Sequence, residues 1–154
     1  MVVLKGVPSI LSPDLLHVLA CMGHGDEIVL ADDNFPSASV ASCGPRHIRA
    51  DGHKIPQLLE AILKLLPLDQ YVDAPAFVME LVPSDKAKNL ATPVWQTYQK
   101  LLNEAEGKQV KVDQIERFAF YERAKKAYAV VATGENALYG NIILKKGVIS
   151  ASQN

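Results

Sequence analysis

Cysteine is scarce in this sequence: its 154 residues include two, Cys21 and Cys43, with no Cys-x-x-Cys pair. That excludes a disulfide scaffold and a zinc ribbon and leads to the expectation of a reducing, cytoplasmic environment. An excess of charge of one sign is missing as well, since 16 Lys and Arg stand against 17 Asp and Glu. A protein built to neutralise phosphates carries a basic excess or stripe. Here the doublets Lys125-Lys126 and Lys145-Lys146 are isolated and read as solvated surface. Nucleic acid is not an expected partner. No apolar run approaches the roughly 18 residues of a membrane span, and no charged-then-apolar leader opens the chain, so a membrane is not expected as a partner either.

Most motifs that announce chemistry are also lacking. There is no Gly-x-x-x-x-Gly-Lys-[Ser/Thr] phosphate loop and no Gly-x-Ser-x-Gly nucleophile elbow. Gly23-His24-Gly25 begins like a dinucleotide fingerprint, but Ile28 stands where the third glycine belongs. The order is wrong too, because a dinucleotide loop follows a strand and opens a helix, whereas this one follows a helix and opens a strand. The four histidines, His17, His24, His47 and His53, show neither His-x-His nor His-Glu-x-x-His spacing, so no metal is expected.

What is present is 49% hydrophobic residues, enough to bury a core without metals or cross-links. One domain over residues 1–154 is expected. Ser12-Pro13-Asp14 makes a helix start, with a hydroxyl cap, a proline in the first turn and an early acid. Leu15, Leu16, Val18, Leu19 and Met22 then share one face, and Gly23 is expected to end the helix in the left-handed conformation. Ile28 to Ala31 is a short continuous apolar run, the mark of a strand covered on both faces. Asp32 to Ser37 reads as a loop, and His47 to Ala50 as a short strand. A second helix runs from Pro56 to Leu66 and stops at Pro67. Phe77 to Val82 is strand-like, Ser84 to Ala91 a long loop, and Thr92-Pro93 the start of a third helix that Gly107 ends. A fourth helix is expected over Gln114 to Lys126, with Ile115, Phe118 and Ala119 as its apolar face. Tyr128 to Ala132 and Ile142 to Leu144 complete the strands. This alternation predicts a single-domain three-layer α/β/α sandwich with a mixed, partly parallel sheet.

Two constellations stand out. His24, between two glycines, is followed across one strand by Asp32, at the kind of strand end where α/β sheets place ligands. Imidazole both takes and gives a proton near neutrality. The plainer alternative is a histidine that fills a loop and an aspartate that caps a turn. Thr133-Gly134-Glu135 followed by Tyr139-Gly140-Asn141 is the other: a tyrosine ring suits a sugar's C–H face and an asparagine amide suits vicinal hydroxyls, though turn residues look the same.

Three strings in order carry a resemblance. They are Met22-Gly23-His24-Gly25-Asp26-Glu27-Ile28-Val29-Leu30-Ala31-Asp32 with Asn34-Phe35-Pro36, then Phe118-Ala119-Phe120-Tyr121-Glu122-Arg123-Ala124-Lys125-Lys126-Ala127, then Thr133-Gly134-Glu135 with Tyr139-Gly140-Asn141-Ile142-Ile143-Leu144-Lys145-Lys146-Gly147-Val148. Together they resemble the ribose pyranase and fucose mutarotase family of small sugar-anomer isomerases, over nearly the whole chain. The Asn-Phe-Pro and Phe-Tyr-Glu-Arg-Ala-Lys strings look like its fucose branch. The resemblance implies an isomerase of L-fucose anomers with His24 as catalytic acid/base. It implies sugar contacts from Asp32, Tyr121, Tyr139 and Asn141, and substrate-lining positions at Asp69 and Met79. Asp32 is expected either to orient the imidazole or to hold a sugar hydroxyl, and Arg123 to lie at the surface or an interface. No metal or organic cofactor is implied. A monosaccharide is the implied ligand, and homo-oligomers with active sites near subunit contacts the implied assembly. The alternatives are a D-ribose pyranase and a non-catalytic monosaccharide-binding module. Glu104 to Val112 matches the family least, and no function is assigned to it.

Overall fold

The computed structural model describes residues 3–154. Helix α1, Pro13–Cys21, starts where the sequence places it: the Ser12 hydroxyl accepts from the Leu15 amide at 3.2 Å. Its end differs from expectation. Met22 closes it in an extended conformation, and the left-handed residue is Gly25, at φ +88°, inside the turn into strand β1, Glu27–Ala31. Strand β2, Arg46–Ala50, helix α3, Ile55–Leu63, and strand β3, Ala76–Met79, follow near their expected places. Between β1 and β2 lies a short helix unforeseen from sequence, α2, Ser37–Ala41.

The stretch expected as a long loop contains helix α4, Pro83–Ala87, which buries none of its residues and so leaves no apolar periodicity to read. Helix α5, Pro93–Glu106, runs to Gly107, which takes φ +67°. The single helix expected over Gln114 to Lys126 is instead strand β4, Val112–Ile115, and helix α6, Arg117–Ala124. The break is made by Glu116, whose carboxylate accepts from the Phe118 and Ala119 amides at 3.0 Å each and caps α6. Phe118, expected inward, is 65% exposed, while Phe120 is fully buried. Strands β5, Ala129–Thr133, and β6, Ile142–Lys145, complete the set.

The six strands form one sheet in the order β2-β5-β1-β6-β3-β4. The pairs β2·β5, β1·β5 and β3·β4 are parallel, whereas β6 runs antiparallel to both β1 and β3. Alternate residues of each strand point to opposite faces. On one face Ile28, Leu30, Val78, Val131, Ile142 and Leu144 pack with the buried residues of α1, α3 and α5. On the other, Val29, Ala31, Phe77, Met79, Val130 and Ile143 pack with Val40 of α2 and with Phe120 and Ala124 of α6. The three-layer mixed sandwich expected from the alternation of elements is the fold.

Arg123 ties α6 to the sheet rather than standing free at the surface. Its Nε and Nη2 donate to the two Glu27 carboxylate oxygens at 2.9 and 2.6 Å, and its guanidinium lies 3.7 Å from the centre of the Phe77 ring. Glu27 keeps only 13% of its side chain exposed, so removing the fork strands a largely covered carboxylate with Lys145 as a distant partner at 3.9 Å. Partial exposure tempers the effect. Arg123→Ala is expected to lower the unfolding free energy by about 1–2 kcal/mol and Arg123→Lys by less, as read from urea denaturation.

Candidate active site

Two polar clusters lie at opposite ends of β1. At its start the turn through Gly25, whose amide donates to the Lys146 carbonyl at 2.8 Å, presents His24. The imidazole Nε2 stands 3.0 Å from Asp69 Oδ1. Asp69 is held in turn by the sheet: its amide donates to the Lys145 carbonyl at 3.0 Å, next to the bridge between Leu68 and Lys146. Gly147 makes this approach possible, since a Cβ there would lie 2.8 Å from the Asp69 Cα. Asp69 Oδ1 also accepts from the Tyr71 amide at 3.1 Å, and the Tyr71 ring lies 5.4 Å from the imidazole, centre to centre.

The Asp69 carboxylate is 3% exposed against 44% for the His24 side chain, so the pair has a buried anchor and an open working end. Burial alone raises the Asp69 carboxyl. The Tyr71 amide, the His24 hydrogen bond and charge, and the charge of Lys145 outweigh it and hold the group below its ordinary 3.8. An ionised Asp69 accepts from Nε2–H, which fixes the neutral tautomer with Nδ1 free to take a proton and stabilises the imidazolium that results.

At the other end of β1 a cavity of about 260 Å³ is lined by Asp32, Met79, Tyr121, Tyr139 and Asn141, together with Asn34, Phe35, Val82, Asp85, Arg117 and Leu138. Asp32 and Asn141 interlock across the β1·β6 pair: the Asp32 amide donates to Asn141 Oδ1 at 2.7 Å, and the Gly140 amide donates to Asp32 Oδ2 at 3.2 Å. Asp32 Oδ1 accepts from the Asn34 amide at 3.0 Å. Burial raises the Asp32 carboxyl and the negative charge of Asp33 adds to this, while the amides of Asn34, Gly140 and Phe35 work against it. Tyr121 lays its ring edge-on to Phe35 at 5.5 Å, and its hydroxyl accepts from Arg117 Nε at 3.2 Å. Asn141 commits its carbonyl oxygen inward and leaves its NH2 group to the cavity. A carboxylate, an amide, two phenols and the apolar Met79 make a pocket suited to a small polyol.

A scan against family models matches residues 5–149 to the RbsD / FucU transport protein family. The chain belongs to this family. It is 68% identical to the fucose mutarotase of Mus musculus over 97% of each chain. Its fold superposes with TM-score 0.86 on the crystal structure of the fucose mutarotase in complex with L-fucose from Streptococcus pneumoniae, at 50% identity over 96% of this chain and all of that one. The Bacillus subtilis RbsD complexed with D-ribose shares the fold at TM-score 0.71, with 22% identity over 96% of this chain and all of that one.

Among the RbsD / FucU residues singled out in the sequence, the structure thus gathers Asp32, Met79, Tyr121, Tyr139 and Asn141 in one cavity, and sets His24 with Asp69 elsewhere. Asp32 does not reach the imidazole of its own chain; Asp69 occupies that position. The four steps from Glu27 to Ala31 at about 3.3 Å each put some 13 Å between the two ends of β1, further than one monosaccharide spans. Among the described residues no group of three or more His, Cys, Asp or Glu is placed to hold a metal ion, and no helix is long and apolar enough to cross a membrane. Sequence reasoning missed Arg117 and Asp85. Arg117 was within reach of it, since it sits four residues before Tyr121 on one helix face; Asp85 lies in the segment read as loop.

The lowered Asp69 carboxyl has a thermodynamic consequence for this RbsD / FucU chain. Because the folded value is the lower one, the carboxylate adds stability that is fully present above the unfolded 3.8 and is lost as pH falls through the folded value. Asp69→Asn is therefore expected to be less stable than the parent at neutral pH, with the gap closing from about pH 5 downward. Urea denaturation at a series of pH values checks this; a gap independent of pH contradicts it.

Proposed function

We propose that the protein is an L-fucose mutarotase, interconverting the α and β anomers of the sugar by acid–base opening and closing of its ring, without a cofactor. The observation that carries this reading is the His24–Asp69 pair, an imidazole with one nitrogen anchored on a buried carboxylate and the other open. Simple binding has no use for such a group. The high identity to the Mus musculus fucose mutarotase supports L-fucose as the substrate.

In this mechanism His24 Nδ1 removes the C1 hydroxyl proton as the bond from C1 to the ring oxygen breaks, and a second donor supplies a proton to that oxygen. The aldehyde rotates about C1–C2. Reclosure on the other face of the carbonyl reverses both transfers, with no net oxidation or group transfer. General acid–base help of this kind is worth about 10²–10⁴-fold, sufficient for a reaction that already proceeds in water. Asp32, Tyr121, Tyr139, Asn141 and Met79 bind and orient the sugar.

The two ends of β1 are too far apart to act on one sugar within a chain, so the protein works as a homo-oligomer in which His24 and Asp69 of one copy meet the cavity of another. Tyr71, 78% exposed beside His24, and Phe118 and Leu138, 65% and 55% exposed at the cavity's side of the molecule, are the apolar surfaces such a contact covers. The whole chain serves as one mutarotase domain. Free, exposed thiols at Cys21 and Cys43 fit a cytoplasmic location.

NMR saturation transfer between the anomeric protons of L-fucose is expected to show protein-dependent exchange that His24→Ala abolishes. D-ribose run in parallel separates the pyranase alternative, since exchange on ribose alone reassigns the substrate. Exchange on neither sugar leaves a binding module. The shared site has its own test: mixing His24→Ala with Tyr121→Phe under exchange of subunits is expected to restore activity toward about a quarter of the parent value, because a quarter of randomly paired contacts carry both intact halves. No recovery means each chain works alone.

A further inference from the structure

The two tyrosine hydroxyls of the cavity are backed by groups of opposite kind. A phenol has one hydrogen to give and two lone pairs to offer. Behind Tyr121 stands the Arg117 guanidinium, which donates from Nε to the phenol oxygen at 3.2 Å; a guanidinium only donates, so the Tyr121 hydrogen stays free. Behind Tyr139 stands Asp85 of α4. The Tyr139 hydroxyl donates to Asp85 Oδ2 at 2.5 Å, and the Val82 amide donates to the Tyr139 hydroxyl oxygen at 3.3 Å. Its hydrogen is used and one lone pair remains. The residue has little freedom to escape this arrangement. Tyr139 sits at φ +59°, a left-handed conformation that costs a side-chain-bearing residue energy, and its carbonyl accepts from Trp95 Nε1 of α5 at 2.9 Å.

We propose that Asp85 is a positioning residue that holds the Tyr139 hydroxyl as an obligate acceptor, so that the sugar must present a hydroxyl hydrogen to Tyr139, and Tyr121 alone of the two tyrosines donates. Asp85 thereby sets which hydroxyl pattern the cavity admits. The inference rests on the mutarotase reading for the identity of the sugar, but the pairing itself does not. The charged groups facing the cavity besides Asp85 are Asp32 at the end of β1 and Arg117 on α6. Burial first and the bond to Asp85 second raise the Tyr139 phenol above its ordinary value, while the Val82 amide and the Arg117 charge pull the other way.

The test pairs a sugar-free readout with a kinetic one. Tyrosinate absorbance is followed against pH in the parent, Asp85→Ala, Tyr139→Phe and the double variant. Asp85→Ala is expected to bring one tyrosine ionisation down, a step absent from Tyr139→Phe and from the double variant. In exchange kinetics on L-fucose, Asp85→Ala is expected to raise KM about tenfold, with a smaller change in kcat, the scale of one lost charge-assisted hydrogen bond. Asp85→Glu is expected to recover part of it. Among monodeoxyfluoro fucoses, whose fluorine accepts but does not donate, the parent should reject the one altered at the hydroxyl that meets Tyr139. Asp85→Ala should narrow that gap. An ionisation that does not move, an unchanged KM or unchanged discrimination each overturns the proposal. A shifted ionisation in a protein that exchanges no fucose overturns it only through the mutarotase reading, with the paired hydroxyl intact.

Discussion

The chemistry of this protein depends on the antiparallel seating of β6 between β1 and β3. Glu27 pairs with Lys145 and Leu30 with Ile142, so the residue before β6, Asn141, falls beside Asp32, and the residues around its end, Lys145 to Gly147, fall beside His24, Leu68 and Asp69. A strand of four residues thus fixes both polar clusters at once. Slipping the register by one residue would carry Ile142 and Leu144 to the wrong face of the sheet and separate the Asp32–Asn141 and Asp69–Lys145 contacts together. The buried apolar faces of β6 are therefore as much a part of the site as the polar side chains at its ends.

Around that strand the loops are held by buried acids and not by apolar contact alone. Glu135, buried, accepts from the Ile55 amide at 3.1 Å and from the Ala137 amide at 3.0 Å, which joins the β5–β6 connection to the start of α3. The Tyr98 hydroxyl, fully covered, donates to the Gly140 carbonyl at 2.7 Å, and burial raises its phenol far above the ordinary value. These bonds leave the segment carrying Tyr139, Gly140 and Asn141 no slack, so the cavity is shaped before a ligand arrives. Preformed polar groups of this kind lower the cost of ordering on binding.

The sandwich was legible because its signals are local. Short continuous apolar runs gave β1, β3, β5 and β6, and the proline and serine starts gave α1 and α5. What escaped has physical causes. Edge strand β4, Val-Asp-Gln-Ile, is polar at its centre and acquires its character from pairing with β3, so it merged with the helix that follows. Helix α4 buries nothing and is invisible to periodicity. In the site, residue types and their order pointed to His24 with Asp32 and to Tyr139 with Asn141, and the family resemblance added Tyr121, yet spacing along the chain carries no direction. His24 and Asp32 are eight residues apart in sequence and look like neighbours until the strand between them is extended. The partner of the imidazole, Asp69, is 45 residues away and is delivered by the bridge to Lys146, a tertiary event with no local signature.

The two buried aspartates show what that separation does for the reaction. Both lose water, and burial pushes both carboxyls up. At Asp69 the Tyr71 amide, the imidazole and Lys145 reverse the shift, whereas at Asp32 three amides do not, and Asp33 adds to the rise. Asp69 is thereby fitted to remain an anion beside the imidazole, and Asp32 to hydrogen-bond with hydroxyl groups. Side by side, the two carboxylates would raise one another, and the anchor would lose the strength that fixes the tautomer of His24. Placing them at opposite ends of β1 keeps each environment independent. Within the chain the His24 side chain is 44% exposed against 3% for Asp69, so the hydrogen bond between them is anchored on a side where water does not compete and open on the side where a ligand would approach. A surface that covered the open side would strengthen it.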